Sequence, residues 1–337
     1  MNIKFRPMKF IAPIVYSLCS NNQMQTFLSN LYSKLNGVEE EERVSWGDEF
    51  PDKTFYVIRR GNYWGLMSNV QAVTHYIAYA RRRNYIPVVD MCNVPCLYLE
   101  DWQVGGTINA WEWFFEQPDG YTLKDICHAK NVVISCQQLL GKYFGVAYTK
   151  FTDRKLLQTW SDFAHKNISI SSDAGRYIES VREAVFCKIP SSKVVGVYCR
   201  GTDYVDLHPK WHPIQPDAET VIEKAKEWME KYKLDACYLV TEDTRVLEKF
   251  KSVFGNKLLY NTSARRSGAA RHDCDYIYTR DQGDDRRKNG LDYLANMMLL
   301  SNCDYIMGGI TGGVVGFLLL NQKQFTKSYW WDLGRYE

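Results

Sequence analysis

Between residues 193 and 320 the apolar pattern switches repeatedly between short continuous runs and a 3.6-residue period, and this alternation constrains the fold more than any other feature. KVVGVY (193–198) reads as a strand, followed by a helical stretch over residues 216–232 in which Val221, Ile222, Ala225, Trp228 and Met229 return at helical spacing. ACYLVT (236–241), TRVLEKFKSVF (244–254), KLLY (257–260), GLDYLANMMLLS (290–301), DYIMG (304–308) and TGGVVGFLLL (311–320) then read in turn as strand, helix, strand, helix, strand and helix. Runs that are apolar throughout, each separated from the next by a helix, call for a parallel sheet covered on both faces.

The first half repeats the theme less regularly. TFYVI (54–58), GLMSNVQAVTHYIAYARRRN (65–84) and IPVVDM (86–91) read as strand, amphipathic helix and strand, and NVVIS (131–135) adds a further strand. Helical stretches over 153–166 and 172–186 separate the halves, which places a boundary near Pro190. A chain of 337 residues can bury two ordinary cores. The expected organisation is therefore an α/β domain over 1–190 and a second, Rossmann-like one over 191–337. Ligands of such doubly wound sheets bind beyond the carboxyl ends of the strands, and a cleft at the domain junction is expected. Residues 261–289 are charged and lack apolar periodicity, so they read as one long loop.

Net charge is only +3, which gives no polyanion signal and excludes a general nucleic-acid binder. Of ten cysteines only Cys92 and Cys96 lie close together, and no pair of C-x-x-C units exists to hold zinc. The apolar run 10–18 is short and broken by Pro13, so neither a signal peptide nor a membrane span is expected. These features together suggest a reduced, cytoplasmic protein, in which the sequons at Asn167 and Asn261 carry no meaning.

Chemistry concentrates after the strand at 193–198. An arginine whose backbone is fixed by a buried strand can grip a phosphate with a bidentate fork, and Arg200 stands in that place. Gly201 allows close backbone approach, and Asp203 can orient the arginine or cap the loop; the alternative is an Arg–Asp pair that only braces the loop. Asp206, His208 and His212 follow within seven positions and supply candidate general bases. Pro209 and Pro213 prevent the helix that would align the two histidines on a metal. The Asp-x-Asp triplet at Asp273 and Asp275 has the form of a metal-dependent nucleotide-sugar site, yet it falls in the charged loop rather than after a strand. GGITGGVVG (308–316) suggests a dinucleotide turn. Such a turn needs another strand with an acidic residue about 20 positions on. Only 21 residues follow Gly316, and the candidate is Asp332.

VGVYCRGTDYVDLHPKWHPI (195–214), YLVTED (238–243) and NMMLLSNCDYIMGGITGG (296–313) resemble, in order, the motifs of the fucosyltransferase superfamily with two Rossmann-like domains. The similarity is greatest to the α-1,6-fucosyltransferases and their rhizobial and O-fucosyltransferase relatives. That family reads His-Val-Arg-Arg-Thr-Asp, then Phe-His-Pro-Ile, then Ala-Thr-Asp-Asp, then Leu-Ser-x-x-Asp-Phe before a serine-containing turn. NYWGLMSNVQ (62–71) and WEWFFEQP (111–118) are similar to two segments of its first domain. The resemblance implies a GT-B-like fold of two parallel-sheet domains and an inverting, metal-independent transfer of fucose from GDP-fucose to an oligosaccharide or polysaccharide. The acceptor would bind the first domain. The nucleotide-sugar is a co-substrate, and no cofactor is expected.

By the same resemblance Arg200 takes the phosphate-binding position, with Asp203, His212, Glu242, Asp243, Thr311 and Gly312 in the donor site. Thr311 and Gly312 stand where hydroxyl and N–H groups at a helix start meet a diphosphate. Three positions depart from the family: Tyr198 replaces a histidine, Gly201 a second arginine, and Asn296 the aspartate that bonds guanine. Asp292, one helical turn earlier, is either a substitute for that aspartate or an exposed helix residue. His208 falls where the α-1,6 enzymes have their glutamate base, with Asp206 as the alternative base or as the partner that orients it. Arg265, Arg266 and Arg271 either close over phosphates or are solvated. The same fold could also serve a different nucleotide-sugar, or a binding protein that has lost catalysis.

Overall fold

A computed structural model of the protein describes residues 41–59, 65–135, 153–187, 189–262 and 285–337. The apolar run 10–18, the Asp273–Asp275 triplet, and Arg265, Arg266 and Arg271 lie outside them. The described residues divide into two compact units. One holds 41–59, 72–94 and 117–135; the other holds 65–71, 95–116 and everything described from 153 onward.

The first unit is built on a four-stranded sheet in the order β1–β4–β2–β3, with β1 at Glu42–Val44, β2 at Glu49–Arg59, β3 at Ile86–Asp90 and β4 at Ala129–Ile134. β2 runs parallel to both β3 and β4, while β1 pairs antiparallel with β4. Phe55, Val57, Val88 and Val132 point to one face and bury against Ile126 and Ala129. Helix α1, Leu66–Arg81, begins in the second unit and contributes its residues from Ala72 to the first.

The second unit carries the alternation the sequence predicts. β5 (Val194–Tyr198), β6 (Ala236–Val240), β7 (Leu258–Leu259), β8 (Tyr305–Gly309) and β9 (Lys327–Trp331) form one sheet in the order β7–β6–β5–β8–β9, parallel throughout. Every residue of β5 and β6 is buried, as expected of strands covered on both faces. On one face Val195, Val197, Cys237, Leu239 and Met307 pack with α4 (Ala218–Lys231) and α5 (Thr244–Phe254). On the other, Tyr238 reaches Phe186 of α3 (Ser172–Phe186) and donates its hydroxyl to the Asn296 carbonyl of α6 (Arg286–Leu299). α2 (Arg154–Asn167) packs with α7 (Gly312–Leu320), and the Ser161 hydroxyl bonds the Leu319 and Asn321 carbonyls. Strand order reverses between β5 and β8, and the loops leaving these two strands diverge there.

Two elements differ from the sequence expectation. Residues 286–289 are helical rather than part of the long loop, because Asp285 caps α6 by accepting from Lys288 N at 2.7 Å. β9 has no counterpart in the sequence reading. It is an edge strand with its first three residues exposed, so neither an apolar run nor clean alternation announces it. No described helix is long and apolar enough to cross a membrane. The seven described cysteines are free thiols, four of them buried, and burial pushes Cys199 and Cys303 up to about 12, which leaves them inert core residues.

Candidate functional site

The loop after β5 carries Arg200 from the centre of the sheet. Gly196 within the strand has no room for a side chain, since a Cβ would meet Cys303 and Leu300 at 3.2 Å, and this close packing fixes the strand beneath the loop. The Arg200 side chain is 8% exposed, lies with its guanidinium carbon 5.2 Å from the centre of the Tyr204 ring, and pairs with the carboxylate of Glu242. Glu242 follows β6, and its side chain is 23% exposed. The sequence reading gave Asp203 as a candidate partner of Arg200. Asp203 begins a single helical turn, Asp203–Asp206, and its side chain lies outside the described residues.

Asp243 is committed to structure. Its carboxylate is buried, caps α5 through Arg245 N at 2.8 Å, accepts from Thr202 N at 2.9 Å and receives the Arg245 guanidinium. Burial pushes this carboxyl up, but the Arg245 side chain and the N–H groups of Thr202 and Arg245 more than offset that and hold it below the ordinary range. Gly201 makes the arrangement possible, because a Cβ there would stand 2.5 Å from Asp243 Oδ2. The same Arg245 reaches Asp206 with two hydrogen bonds of 3.1 and 2.8 Å. Asp206 is thus drawn into a bracket across the loop, and the two carboxylates push the Arg245 guanidinium up.

His208 is exposed, sits in the left-handed region at φ 47°, and stacks on Tyr336 with centroids 4.7 Å apart and planes 24° apart. Thr202 (φ 56°) and Trp211 (φ 69°) share that unfavourable backbone, so three such non-glycine residues fall within one short loop. Conformations of this kind persist only where the surroundings over-determine them. His212 is half-buried, with Nδ1 3.2 Å from the Lys210 carbonyl and its ring edge-on to Tyr204.

Across the switch point, Thr311 caps α7: its hydroxyl accepts from Val314 N at 3.1 Å and donates to Tyr198 Oη at 3.3 Å. A Cβ on Gly312 would meet the Ser68 hydroxyl at 2.9 Å, and one on Gly313 the Tyr293 hydroxyl at 2.7 Å. Burial pushes the Tyr293 phenol well up, and Tyr198, Glu242, Arg200 and Tyr98 lie near enough to act on it electrostatically. Tyr293 therefore links the Arg200 side of the site to the start of α7. The remaining glycines of this turn pack protein against protein: Gly308 against Tyr198, Gly309 against Gln215 and Gly316 against Met67.

The second candidate group lies on α6. Asp292 is buried, not an exposed helix residue; it accepts from the Tyr177 hydroxyl of α3 and pairs with Lys288 Nζ at 2.7 Å. This carboxylate and the Tyr177 burial push the Tyr177 phenol up. Asn296 is also buried. A cavity of about 520 Å³ is lined by Tyr177 and Lys288, the two partners of Asp292, with Asp173, Arg176, Asp285, Arg287 and Leu291; its lining includes neither Asp292 nor Asn296, nor any residue around Arg200.

Comparison with known families finds no matching family model, and none of the curated proteins matches the sequence. Among solved structures, the protein is similar to fucosyltransferase NodZ from Bradyrhizobium, at 16% identity and a TM-score of 0.46, over 80% of this chain and 94% of that one. It is similar to a FUT1 mutant from Arabidopsis thaliana in complex with GDP, at 12% identity and a TM-score of 0.47, over 85% and 72% of the two chains. It is similar to POFUT1 in complex with GDP at 11% identity and a TM-score of 0.34, over 82% and 73%. These likenesses concern the fold alone.

Sequence reasoning missed Arg245 and Tyr336. Arg245 had a local signal, since a cation two residues past a buried strand-end aspartate is placed to pair with it. Tyr336 had none, because its partner loop is remote in the chain.

Proposed function

We propose that the protein is an inverting glycosyltransferase that moves fucose from GDP-fucose to an oligosaccharide or polysaccharide without a metal ion. The donor would bind the unit that carries β5–β9, and the acceptor the unit that carries β1–β4. An acceptor hydroxyl loses its proton to the base while its oxygen attacks the anomeric carbon. The bond from that carbon to the diphosphate breaks, its electron pair passes to the β-phosphate, and no covalent intermediate forms.

The observation that carries the reading is Arg200: a cation held at the carboxyl end of the central strand beside the start of α7, with a partly exposed carboxylate as its partner. A phosphate can replace Glu242 on such a guanidinium, which grips it with a bidentate fork. His208 is favoured as the base over Asp206, because its imidazole is exposed whereas the Asp206 carboxylate is held by Arg245. The choice of guanine and fucose rests on the sequence resemblance.

A thermal-shift screen of nucleotide-sugars tests this reading. A ligand at a hundred times its Kd stabilises by about 2.7 kcal/mol, so GDP-fucose should raise Tm by several degrees where UDP- and ADP-sugars do not. Selective stabilisation by another donor would overturn the choice of GDP-fucose, and stabilisation by none would overturn the transferase assignment.

A further inference from the structure

The loop proposed to carry the base is bonded to a segment remote in the chain. Trp211 N donates to the Tyr336 carbonyl at 2.9 Å, Tyr336 N donates to the His212 carbonyl at 3.1 Å, and Ile214 N donates to the Gly334 carbonyl at 3.0 Å. Pro213 and Arg335 form an antiparallel bridge between the same two segments. Residues 334–336 thus lie along 211–214 as a short ribbon, and they bracket the left-handed backbone at His208 and Trp211. Such ladder bonds secure a conformation the loop would otherwise leave.

Tyr336 does more than supply backbone groups. Its ring lies against the His208 imidazole with centroids 4.7 Å and planes 24° apart. Gln215 is buried, and its Nε2 donates to the carbonyls of Pro213 at 3.1 Å and Ile310 at 2.9 Å. Ile310 directly precedes Thr311, the cap of α7. Contacts therefore run from the His208 ring through Tyr336 to the 211–214 segment, and from there through Gln215 to the turn proposed to receive the diphosphate. A base on an exposed loop without such support would sample many orientations, and a displacement of about 1 Å can cost about 100-fold in rate.

We propose that Tyr336 is a positioning residue, whose ring sets the plane of the His208 imidazole and whose main chain holds the loop that carries it. This rests on His208 acting as the base of the proposed transfer. Tyr336 itself touches neither donor nor acceptor in this assignment.

The experiment compares Tyr336→Leu, which removes the aromatic face, with Tyr336→Phe, which keeps it and loses only the hydroxyl. Tyr336→Leu should lower kcat by about 10- to 100-fold with the KM for both substrates little changed, and Tyr336→Phe should restore most of the loss. A general loosening of the fold would not separate kcat from KM, nor be repaired by Phe. Proton NMR of the unmutated protein supplies a readout that needs neither activity nor a variant that folds: nuclear Overhauser contacts between the His208 and Tyr336 ring protons. Absence of those contacts, or unchanged kcat in Tyr336→Leu, overturns the proposal. His208→Ala distinguishes the two levels. If it keeps full kcat, the assignment of the base falls; if it loses activity while Tyr336→Leu does not, only the positioning role falls.

Discussion

Arg200 and Arg245 both stand just past the carboxyl ends of central strands of one sheet, yet they are held in opposite ways. Arg245 is 46% exposed and is gripped by two carboxylates, with hydrogen bonds from 2.6 to 3.1 Å to Asp243 and Asp206. Arg200 is 8% exposed, and the carboxylate paired with it belongs to a side chain 23% open to solvent. The exposed arginine is neutralised by carboxylates that themselves lie largely inside the protein, whereas the buried arginine faces a partner that an anion can displace. A buried cation is costly unless paired, and under the proposed transfer Glu242 would hold the place that the diphosphate takes. The difference teaches that Arg245 braces the loop, while the setting of Arg200 suits the phosphate-binding role proposed for it.

The largest effect expected from breaking this comparison is on transfer. Arg200→Ala should lower kcat by about 1000-fold, the loss typical of removing a donor aimed at developing negative charge. It should bind GDP more weakly in calorimetry, and circular dichroism should show an intact fold. Transfer near the normal rate would show that the two arginines are not functionally distinct.

Arg245→Ala should reverse the pattern. It leaves the Asp243 carboxylate buried with only N–H donors, at a cost of about 2 kcal/mol in chemical denaturation, a figure already reduced for the exposure of Arg245. The acid side sharpens the point. The Asp243 carboxyl titrates lower in the folded than in the unfolded protein, so the unfolded chain binds more protons as pH falls below the ordinary carboxylate value near 4. The stability it contributes is complete above that value and is lost as pH drops through the lower folded value. Melting curves from pH 6 to pH 2 should therefore fall less steeply for Arg245→Ala than for the unmutated protein. Equal slopes would remove Arg245 as the cause of the depressed Asp243 carboxyl.

The same comparison shows what the sequence could reveal. β5, β6 and β8 are legible because central parallel strands must be apolar along their whole length, and Arg200 is legible because it interrupts such a run. Thr311 was legible as a helix start, since a threonine before GGVVGFLLL is a good cap. The Arg245–Asp206 pair was not, because it joins residues 39 apart and no local period encodes that. Asp292 looked like a surface residue of α6 because one helical turn of sequence does not show that α3 lies over it with Tyr177. β9 and the 334–336 ribbon escaped for a related reason: edge strands and single bridges are stabilised by the strand they join, not by their own composition.

Crystals grown with GDP would test the central claim most directly. The account predicts a diphosphate oxygen about 2.8 Å from the Arg200 guanidinium, with Glu242 displaced and the chain at Gly312 close to the other phosphate. A diphosphate seated elsewhere, with Arg200 still paired to Glu242, would contradict it.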